Sequence, residues 1–493
     1  MTPKRLPLLA LPLMIINEIK TWYFLILLIA ANGLRGRFGW LEILGIIGVI
    51  AVIVGFALIR YWRFTYALEG QAVTINSGLF VKKARHIPYA NIQTLRRQQW
   101  FFLQPFGLES LSIETSGQES KSGEGTLFAV PLSVAEAIEA RRHQHPATAP
   151  ATPTPQVTEA KSSQTIYHIN GRDLNIYALT SLGFLPILAV VGGAYNKLDD
   201  LIPHTWRDRA VDSLAHLAVL VIVGLVVAAI VLAIFVSYMN LLQRYYHFTL
   251  ERDANTLTAT RGLFKRNTVS VRLVRVQAIQ LQQSILRQLF GLTTVQALTA
   301  SNAADDESNN DLVLMPVVPT KQVYSAMHPF VGWLPTAAPT LTKVPKSSYF
   351  YYIRNIVLPH LIIVAILVGL VVAFGRNWLW LCVIGALLWL LLAALQGRYA
   401  ARNAGVAIID DHRLAIQTGN VWTRTQYIVR RENIQSLTAA SSLWLDKHAK
   451  AHLRVNVRRG DGNKQLEVRY LDAATVTRVL AWYQPTDAHR QIF

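Results

Sequence analysis

Cysteine is almost absent from this 493-residue chain. Its one thiol, Cys382, excludes a disulfide framework, a CxxC redox pair and a thiolate zinc site. The surrounding Trp380-Leu381-Cys382-Val383-Ile384 is apolar and suits a packing thiol rather than a nucleophile. Charge is scarce too: Asp, Glu, Lys and Arg make up 16%, where a soluble globular chain carries about a quarter. Acidic residues are the rarer sign, 29 against 48 basic ones, so the formal net charge is +19. Apolar residues fill the deficit at 52%, gathered in windows whose lengths of about 20 residues match a hydrocarbon core. Secreted, disordered and fibrous classes are excluded, and a membrane protein is expected. No GxxxxGK(S/T), HExxH, GxSxG or GxGxxG occurs, so phosphate-cradle, zincin, nucleophile-elbow and dinucleotide chemistries lack a starting point.

The apolar windows form three close pairs, each followed by a long polar stretch. They run from about Ile15 to Leu34 and Leu41 to Arg60, from Leu174 to Tyr195 and Leu214 to Met239, and from Ile356 to Phe374 and Trp378 to Leu395. The first is weakest, because Asn17, Glu18 and Lys20 interrupt it. A signal peptide competes there, since Lys4-Arg5 precede an apolar run, but no small-x-small cleavage site follows. Only 6 of the 48 Lys and Arg lie in the three short connections, whereas Lys4, Arg5, Arg60, Arg63, Arg244, Arg398 and Arg402 mark the opposite side. Both termini and all three polar regions are therefore expected in the cytoplasm. Trp40, Trp206 and Trp378 would lie near the outer interface, and Trp62, Tyr245, Tyr349 and Tyr399 near the inner one.

The polar regions repeat one another. Arg60-Tyr61-Trp62-Arg63-Phe64-Thr65 returns 184 residues later as Arg244-Tyr245-Tyr246-His247-Phe248-Thr249. The same offset links Ser77-Gly78-Leu79-Phe80 with Arg261-Gly262-Leu263-Phe264, Ile92-Gln93 with Val276-Gln277, and Pro105-Phe106-Gly107-Leu108 with Leu289-Phe290-Gly291-Leu292. A third region keeps the order in Arg398-Tyr399, Thr418-Gly419 and Ile434-Gln435, with Leu443-Trp444-Leu445-Asp446 replacing the Phe-Gly-Leu element. Strands at Val73–Asn76, Thr256–Thr260 and Arg413–Gln417 are expected to turn at Gly78, Gly262 and Gly419. Period-two alternation puts Leu453, Val455 and Val457 on one face and Arg454, Asn456 and Arg458 on the other. Each region closes with a strand, a capping residue (Ser133, Thr320 or Asp472) and one helix, the last striped by Val476, Val479, Leu480 and Tyr483. An antiparallel barrel or sandwich plugged by a C-terminal helix fits this layout.

A hairpin of spans, an Arg-Tyr entry, a Gly-Leu-Phe turn, an Ile-Gln step and a Phe-Gly-Leu element together resemble the bacterial pleckstrin-homology-like domain of the second type. The resemblance implies an α+β membrane protein with three transmembrane helical hairpins, each followed by a PH-like antiparallel β-barrel with a C-terminal helix. It divides the chain into a hairpin at 1–62, a domain at 63–145, a Pro/Ala/Thr linker at 146–165, a hairpin at 166–243 and a domain at 244–330. A linker and hairpin at 331–397 and a diverged domain at 398–493 complete it. The family implies little chemistry: some members are linked to protection of the envelope against antimicrobial peptides, most have no assigned activity, and no cofactor is expected. A non-enzymatic scaffold at the inner membrane is the first expectation; a component that transports or effluxes toxic peptides is the alternative.

Charge identifies the candidate contacts. The three polar regions hold 10 basic against 7 acidic residues (60–145), 9 against 6 (244–330) and 15 against 8 (398–493). Their clusters are Lys82, Lys83 and Arg85; Arg96 and Arg97; Lys265 and Arg266; Arg272 and Arg275; Arg430 and Arg431; and Arg454, Arg458 and Arg459. Each charge near an anionic leaflet contributes about 1 kcal/mol of attraction. Membrane lipids with anionic headgroups are the expected partners, with a homo-oligomer or a related PH-domain membrane protein beside them. Nucleic acid is not expected, since the charge runs are short and no aromatic-basic platform is present. Ala303–Asp311 reads as a solvated acidic loop, and no calcium site is expected there because the EF-hand glycine and glutamate are missing. His143 with His145, and His448 with His452 at helical spacing, are the only histidine pairs, too few for a metal site. His360 is the one ionisable residue well inside a span, which argues against a proton-coupled pathway. An enzyme built on His86, Glu114 and Asp411 has no support in their spacing.

Overall fold

The computed structural model describes residues 3–33, 40–78, 81–115, 125–144, 165–181, 215–300, 311–374, 379–460 and 462–484. One order of elements occurs three times. The first pass is β1 (Lys4–Arg5), α1 (Ala10–Gly33), α2 (Trp40–Arg63), β2 (Thr65–Leu68), β3 (Ala72–Ser77), β4 (Lys83–Pro88), β5 (Ile92–Trp100), β6 (Leu108–Thr115), β7 (Thr126–Pro131) and α3 (Leu132–Gln144). The second is β8 (Thr165–His168), α4 (Gly171–Leu179), α5 (Ala215–Tyr245), β9 (Thr249–Asp253), β10 (Thr256–Arg261), β11 (Lys265–Arg272), β12 (Val276–Gln283), α6 (Ile285–Leu289), β13 (Leu292–Thr299), β14 (Asp311–Pro319) and α7 (Val323–Met327). The third is β15 (Thr342–Lys343), α8 (Tyr349–Phe374), α9 (Leu379–Asn403), β16 (Gly405–Asp410), β17 (Arg413–Asn420), β18 (Thr423–Arg430), β19 (Ile434–Ala440), α10 (Leu443–Asp446), β20 (Lys450–Arg459), β21 (Gly462–Asp472) and α11 (Ala473–Tyr483).

The first and third repeats begin before their pair of long helices, not at it. The short strand β1 pairs with β2, Lys4 opposite Tyr66, and β15 pairs with β16, Thr342 opposite Val406. Leu6, Ala10, Leu13 and Met14 then enter the core of the first domain. The stretch that a signal-peptide reading assigns to a leader is thus packed into the first domain.

Two compact units emerge, one of Met1–Ile166, Thr249–Arg275 and Ser301–Asn310, the other of Tyr167–Phe248, Val276–Ala300 and Asp311–Phe493. In the first, a four-stranded sheet β1-β2-β3-β4 is accompanied by a seven-stranded sheet ordered β7-β6-β5-β11-β10-β9-β8. Ile75 and Ile87 from the one sheet share a core with Leu95, Leu111 and Leu127 from the other, under Val134, Ala135 and Ile138 of α3. In the second unit the seven-stranded order is β14-β13-β12-β18-β17-β16-β15, with a three-stranded sheet β19-β20-β21 beside it. Leu414 and Ile416 there share a core with Leu453, Val455 and Val457, under Val476 and Val479 of α11. The alternation read along β20 is present as expected.

None of these sheets closes on itself among the described residues, so the expected barrel is corrected to open sheets packed as layers. The physical reason is visible in the pairing. The outer edge of β5 is occupied by β11 from the next repeat, Thr94 opposite Val271 through Trp100 opposite Lys265. The outer edge of β12 is occupied in the same way by β18, Ala278 opposite Val429 through Gln283 opposite Arg424. An edge satisfied by a neighbour is not available for closure.

The Ile-Gln step is a β-bulge. Pairing skips one residue between Ile92 and Thr94, between Val276 and Ala278, and between Ile434 and Ser436, so Gln93, Gln277 and Gln435 are the extra residues. Gly107 and Gly291 of the Phe-Gly-Leu element take left-handed φ of 60° and 64°, and Ala449 at 50° follows α10 in the third repeat. Gly78 and Gly262 turn at φ 122° and 110°, as expected. Gly419 does not: it lies within β17, and the third turn is made by Val421 and Trp422 at φ 44° and 59°. Glycine is needed at 419 for space, since a Cβ there would come 3.0 Å from Asn403 Cβ and 3.2 Å from Ala400 Cα on α9.

Other expectations need correction. Asp472 stands at the start of α11 but makes no cap bond; its carboxylate is 3.1 Å from Lys450 Nζ. Helix α3 starts at Leu132, ahead of Ser133, and α7 is a single short turn past Thr320. His448 follows α10 while His452 lies in β20, so no helix carries the pair. Asp311 is buried and held by Arg459 at 3.0 Å and Lys464 at 3.5 Å, not solvated; the rest of the acidic loop, and the linker at 146–163, lie outside the described residues.

Among the described residues, three helices are long and apolar enough to cross a membrane: Val227–Tyr245, Lys346–Ala373 and Leu379–Asn403. The expected span Leu174–Tyr195 begins as α4, and the rest lies outside the described residues. The charge in the first expected span is paired: Glu18, more than two turns into α1, bonds Arg60 of the last turn of α2 at 2.7 Å. His360 Nδ1 meets the Ile356 carbonyl of its own helix at 2.7 Å, and its ring lies 5.8 Å from that of Trp389.

A Cβ at Gly262 would overlap the Lys265 carbonyl oxygen, whereas one at Gly291 meets nothing within 4 Å. Both substitutions carry the left-handed penalty of about 1–2 kcal/mol. Gly262→Ala is therefore expected to lower the unfolding midpoint of the detergent-solubilised chain clearly more than Gly291→Ala, and equal effects would contradict the turn geometry.

Candidate membrane-surface site

In the first unit, clusters some 170 residues apart in sequence meet on adjacent strands. Arg96 and Arg97 on β5 face Val269 and Thr268 on β11, and Lys265 faces Trp100, its Nζ 4.9 Å from the indole centroid. Arg96 Nε donates to Asn267 Oδ1 at 3.2 Å. Arg97 Nε donates to both carboxylate oxygens of Glu109, at 2.9 and 3.0 Å. Glu109 is almost fully enclosed, and burial pushes its carboxyl up against the opposing pull of Arg97. Arg142 is buried too and donates to the Gln93 carbonyl at 3.0 Å. Burial, then the repulsion of Arg272, pushes its guanidinium down to about 10, with Glu139 pulling the other way. Arg272 is lowered by burial and by Arg275 in the turn that follows it.

Arg97, Glu109 and Arg142 border a cleft of about 420 Å³ that Thr256, Thr258, Thr260 and Thr268 also line. Its lining carries Arg97, Arg142 and Arg266 against Glu109, Glu139, Glu251 and Asp253. The carboxylates equal or exceed the guanidinium groups, so the cleft is a neutralised polar pocket and not a cradle for a phosphate. Lys82, Lys83 and Arg85 lie apart from it, at and before β4 in the four-stranded sheet.

In the second unit the basic clusters are again engaged internally. Arg430 pairs with Glu432 at 2.5 Å and lies over the Trp333 ring. Arg431 donates to the Tyr483 and Gln484 carbonyls at the end of α11, at 3.1 and 3.2 Å, completing the helix terminus. Arg454 and Arg469 both bond Glu467, at 2.8 and 2.7 Å. Of the clusters named from sequence, Lys82, Lys83, Arg266 and Arg458 are the exposed members.

A second cleft, about 380 Å³, lies where α8 and α9 meet the sheet, lined by Tyr352, Asn355, Ala400, Gly419, Glu467 and Tyr470 among others. Tyr352 donates its hydroxyl to the Arg469 carbonyl at 2.9 Å, Asn355 bonds the Tyr470 hydroxyl, and the Tyr351 and Tyr470 rings stack at 5.2 Å. Tyr470 takes a left-handed φ of 56° at a bulge of β21. This latch between a membrane helix and the third domain was missed from sequence, where the tyrosines before the fifth span read only as an interfacial belt.

Sequence reasoning also missed the apolar tips. The segment after β5, β12 and β19 exposes large apolar side chains in every repeat: Phe106 (63%), Leu289 (78%) and Trp444 (75%), with Phe101, Phe290 and Leu443 beside them. At the third tip Lys447 lies 5.6 Å over the Trp444 ring. In the second unit the tip is tied to the last turn of α9, because Gln288 donates to the Tyr399 hydroxyl at 2.7 Å. Exposed aromatic and leucine side chains of this kind suit insertion into a headgroup layer, most clearly at Trp444 beside Lys447 and at the Leu289 tip tied to α9. Among the described residues no group of three or more His, Cys, Asp or Glu could hold a metal ion.

The bacterial PH domain profile matches residues 21–147, 213–326 and 343–486. The chain is also 26% identical over 448 residues to the UPF0699 transmembrane protein YdbT of Bacillus subtilis (strain 168), covering 89% of this chain and 88% of that protein. No solved structure matches.

Burial alone would raise the Glu467 carboxyl, but its bonds to Arg454 and Arg469 outweigh that and hold it below the usual range. Its contribution to stability is present above an ordinary glutamate value of about 4.3 and is lost as the pH falls through the lower folded value. Glu467→Gln is therefore expected to flatten the loss of thermal stability between about pH 5 and pH 3. An acid profile identical to that of the unaltered chain would contradict the pairing.

Proposed function

Because the chain belongs to the bacterial PH domain family, we propose that it is a non-enzymatic scaffold of the bacterial inner membrane, whose three PH-like domains lie in the cytoplasm against the inner leaflet. The observation that carries this reading is the backbone ladder running from one repeat into the next, β5 to β11 and β12 to β18. Within each unit such a ladder joins strands of successive repeats in one sheet, which suits holding a partner in place. The neutralised cleft, and basic clusters spent on internal ion pairs, support binding to a surface over catalysis. Lipid contact then rests on two features together: the apolar tips at Phe106, Leu289 and Trp444, and the exposed cations Lys82, Lys83, Arg266 and Arg458.

Labelling on a Cys382→Ser background tests the reading. With Ala151→Cys, a membrane-impermeant maleimide is expected to react in intact cells only after permeabilisation; reaction without it would overturn the cytoplasmic placement. With Leu443→Cys carrying an environment-sensitive fluorophore, nitroxide-bearing lipids in proteoliposomes are expected to quench the emission. Emission that such lipids leave untouched would overturn the surface contact.

A further inference from the structure

Two strands of this fold stand where their equivalents have partners. Strand β4 occupies in the first repeat the place of β11 and β18, and among the described residues it is the last strand of its sheet. Strand β19 occupies in the third repeat the place of β5 and β12, and it too is terminal. The equivalence is residue by residue, because the bulged glutamines Gln93, Gln277 and Gln435 align β5, β12 and β19. The short turns Tyr89–Asn91, Leu273–Arg275 and Arg431–Asn433 likewise align the ends of β4, β11 and β18.

Under that alignment the two filled joints have one register. The residue after the bulged glutamine, Thr94 or Ala278, lies opposite the valine two places before the turn, Val271 or Val429. We propose that the two terminal edges fit each other between copies, β19 of one chain pairing antiparallel with β4 of a second copy of the same chain. The register is set by the internal joints: Ser436 opposite Ile87, Leu437 opposite His86, Thr438 opposite Arg85, Ala439 opposite Ala84 and Ala440 opposite Lys83.

The character of β19 supports a partner. Exposed edge strands are normally guarded by charge, proline or a bulge. Ile434-Gln435-Ser436-Leu437-Thr438-Ala439-Ala440 has no charge and no proline, and its bulge is the one that β5 and β12 also carry while fully paired. Basic side chains on β4 do not count against pairing. In the filled joints cations of β11 and β18 reach across the seam, Lys265 onto Trp100 and Arg424 onto Gln283. A second copy is the occupant because the two edges differ and each matches the joint already built twice within the chain. The contact is heterologous, so it generates a ring or an open row of copies rather than a closed two-fold dimer. The inference rests on the scaffold reading in one respect, that both edges lie on the same side of the membrane, and the maleimide labelling above tests that separately.

The test is cross-linking of the full chain in native membranes on a Cys382→Ser background, using a short bis-maleimide. The Ala84→Cys/Ala439→Cys chain is expected to give a ladder of dimers and higher species. Co-expressed single variants, one Ala84→Cys and the other Ala439→Cys, are expected to give a dimer and nothing larger. Moving the second cysteine three places, as Ala84→Cys/Ser436→Cys, is expected to reduce the ladder at least tenfold. Thr438→Lys, which adds the missing guard on the face that β19 shares with Arg454 and not with the core residues Leu453 and Val455, is expected to shift the detergent-purified chain toward monomer while its unfolding midpoint stays put. Monomer throughout, adducts to a different protein identified by mass spectrometry, or equal cross-linking by each single variant alone would overturn the proposal.

Discussion

Between Thr94–Val271 and Trp100–Lys265, the N–H and C=O groups on the outer side of β5 find partners on β11, a strand of the following repeat. Buried or crowded backbone polar groups must be bonded somewhere, and a small domain with three strands in its second sheet has two edges to satisfy. A barrel would satisfy them by closing. This chain satisfies them by lending an edge to the next repeat, and the joint between β12 and β18 repeats the solution. Sheet order, the open layers and the way strands of the second repeat are divided between two compact units all follow from it.

The seam also decides what the charges do. Arg97 and Arg142 border the cleft beside the first seam and are matched there by Glu109 and Glu139. Asp311, Arg459 and Lys464 do the same work in the second unit, where Lys464 Nζ also reaches Gln280 on β12 at 2.9 Å. A buried pair of this kind tolerates the loss of neither partner, since the survivor is left charged and dry at a cost of roughly 3–5 kcal/mol. Most members of the basic clusters named from sequence are therefore structural, and Lys82, Lys83, Arg266 and Arg458 are the ones left exposed.

Local features were legible in the sequence and distant pairings were not. The 184-residue offset, the glycine turns at 78 and 262 and the alternation through Leu453, Val455 and Val457 are set by neighbours a few residues away, and each is present in the structure. Gly419 misled because a glycine needed for close approach of α9 leaves the same mark as one needed for a turn. Asp311 misled because its partners lie some 150 residues further on. The edge pairing of β5 with β11 leaves no periodic signature at all, since a strand reads the same whether its partner belongs to its own repeat or the next. The Ile-Gln step was visible as a repeated motif, but only strand register identifies it as a bulge.

Hydrogen–deuterium exchange resolved over β5, β12 and β19 tests the central claim most directly, because these three equivalent strands differ in whether their outer edge is filled within the chain. Full-length protein in detergent, diluted until it is monomeric, should protect Leu95–Gln99 and Ile279–Gln282 as strongly as the central strands, and leave Leu437–Ala440 exchanging far faster. Equal and rapid exchange in all three strands would show that the repeats do not share sheets, and the architecture described here would fall with that result.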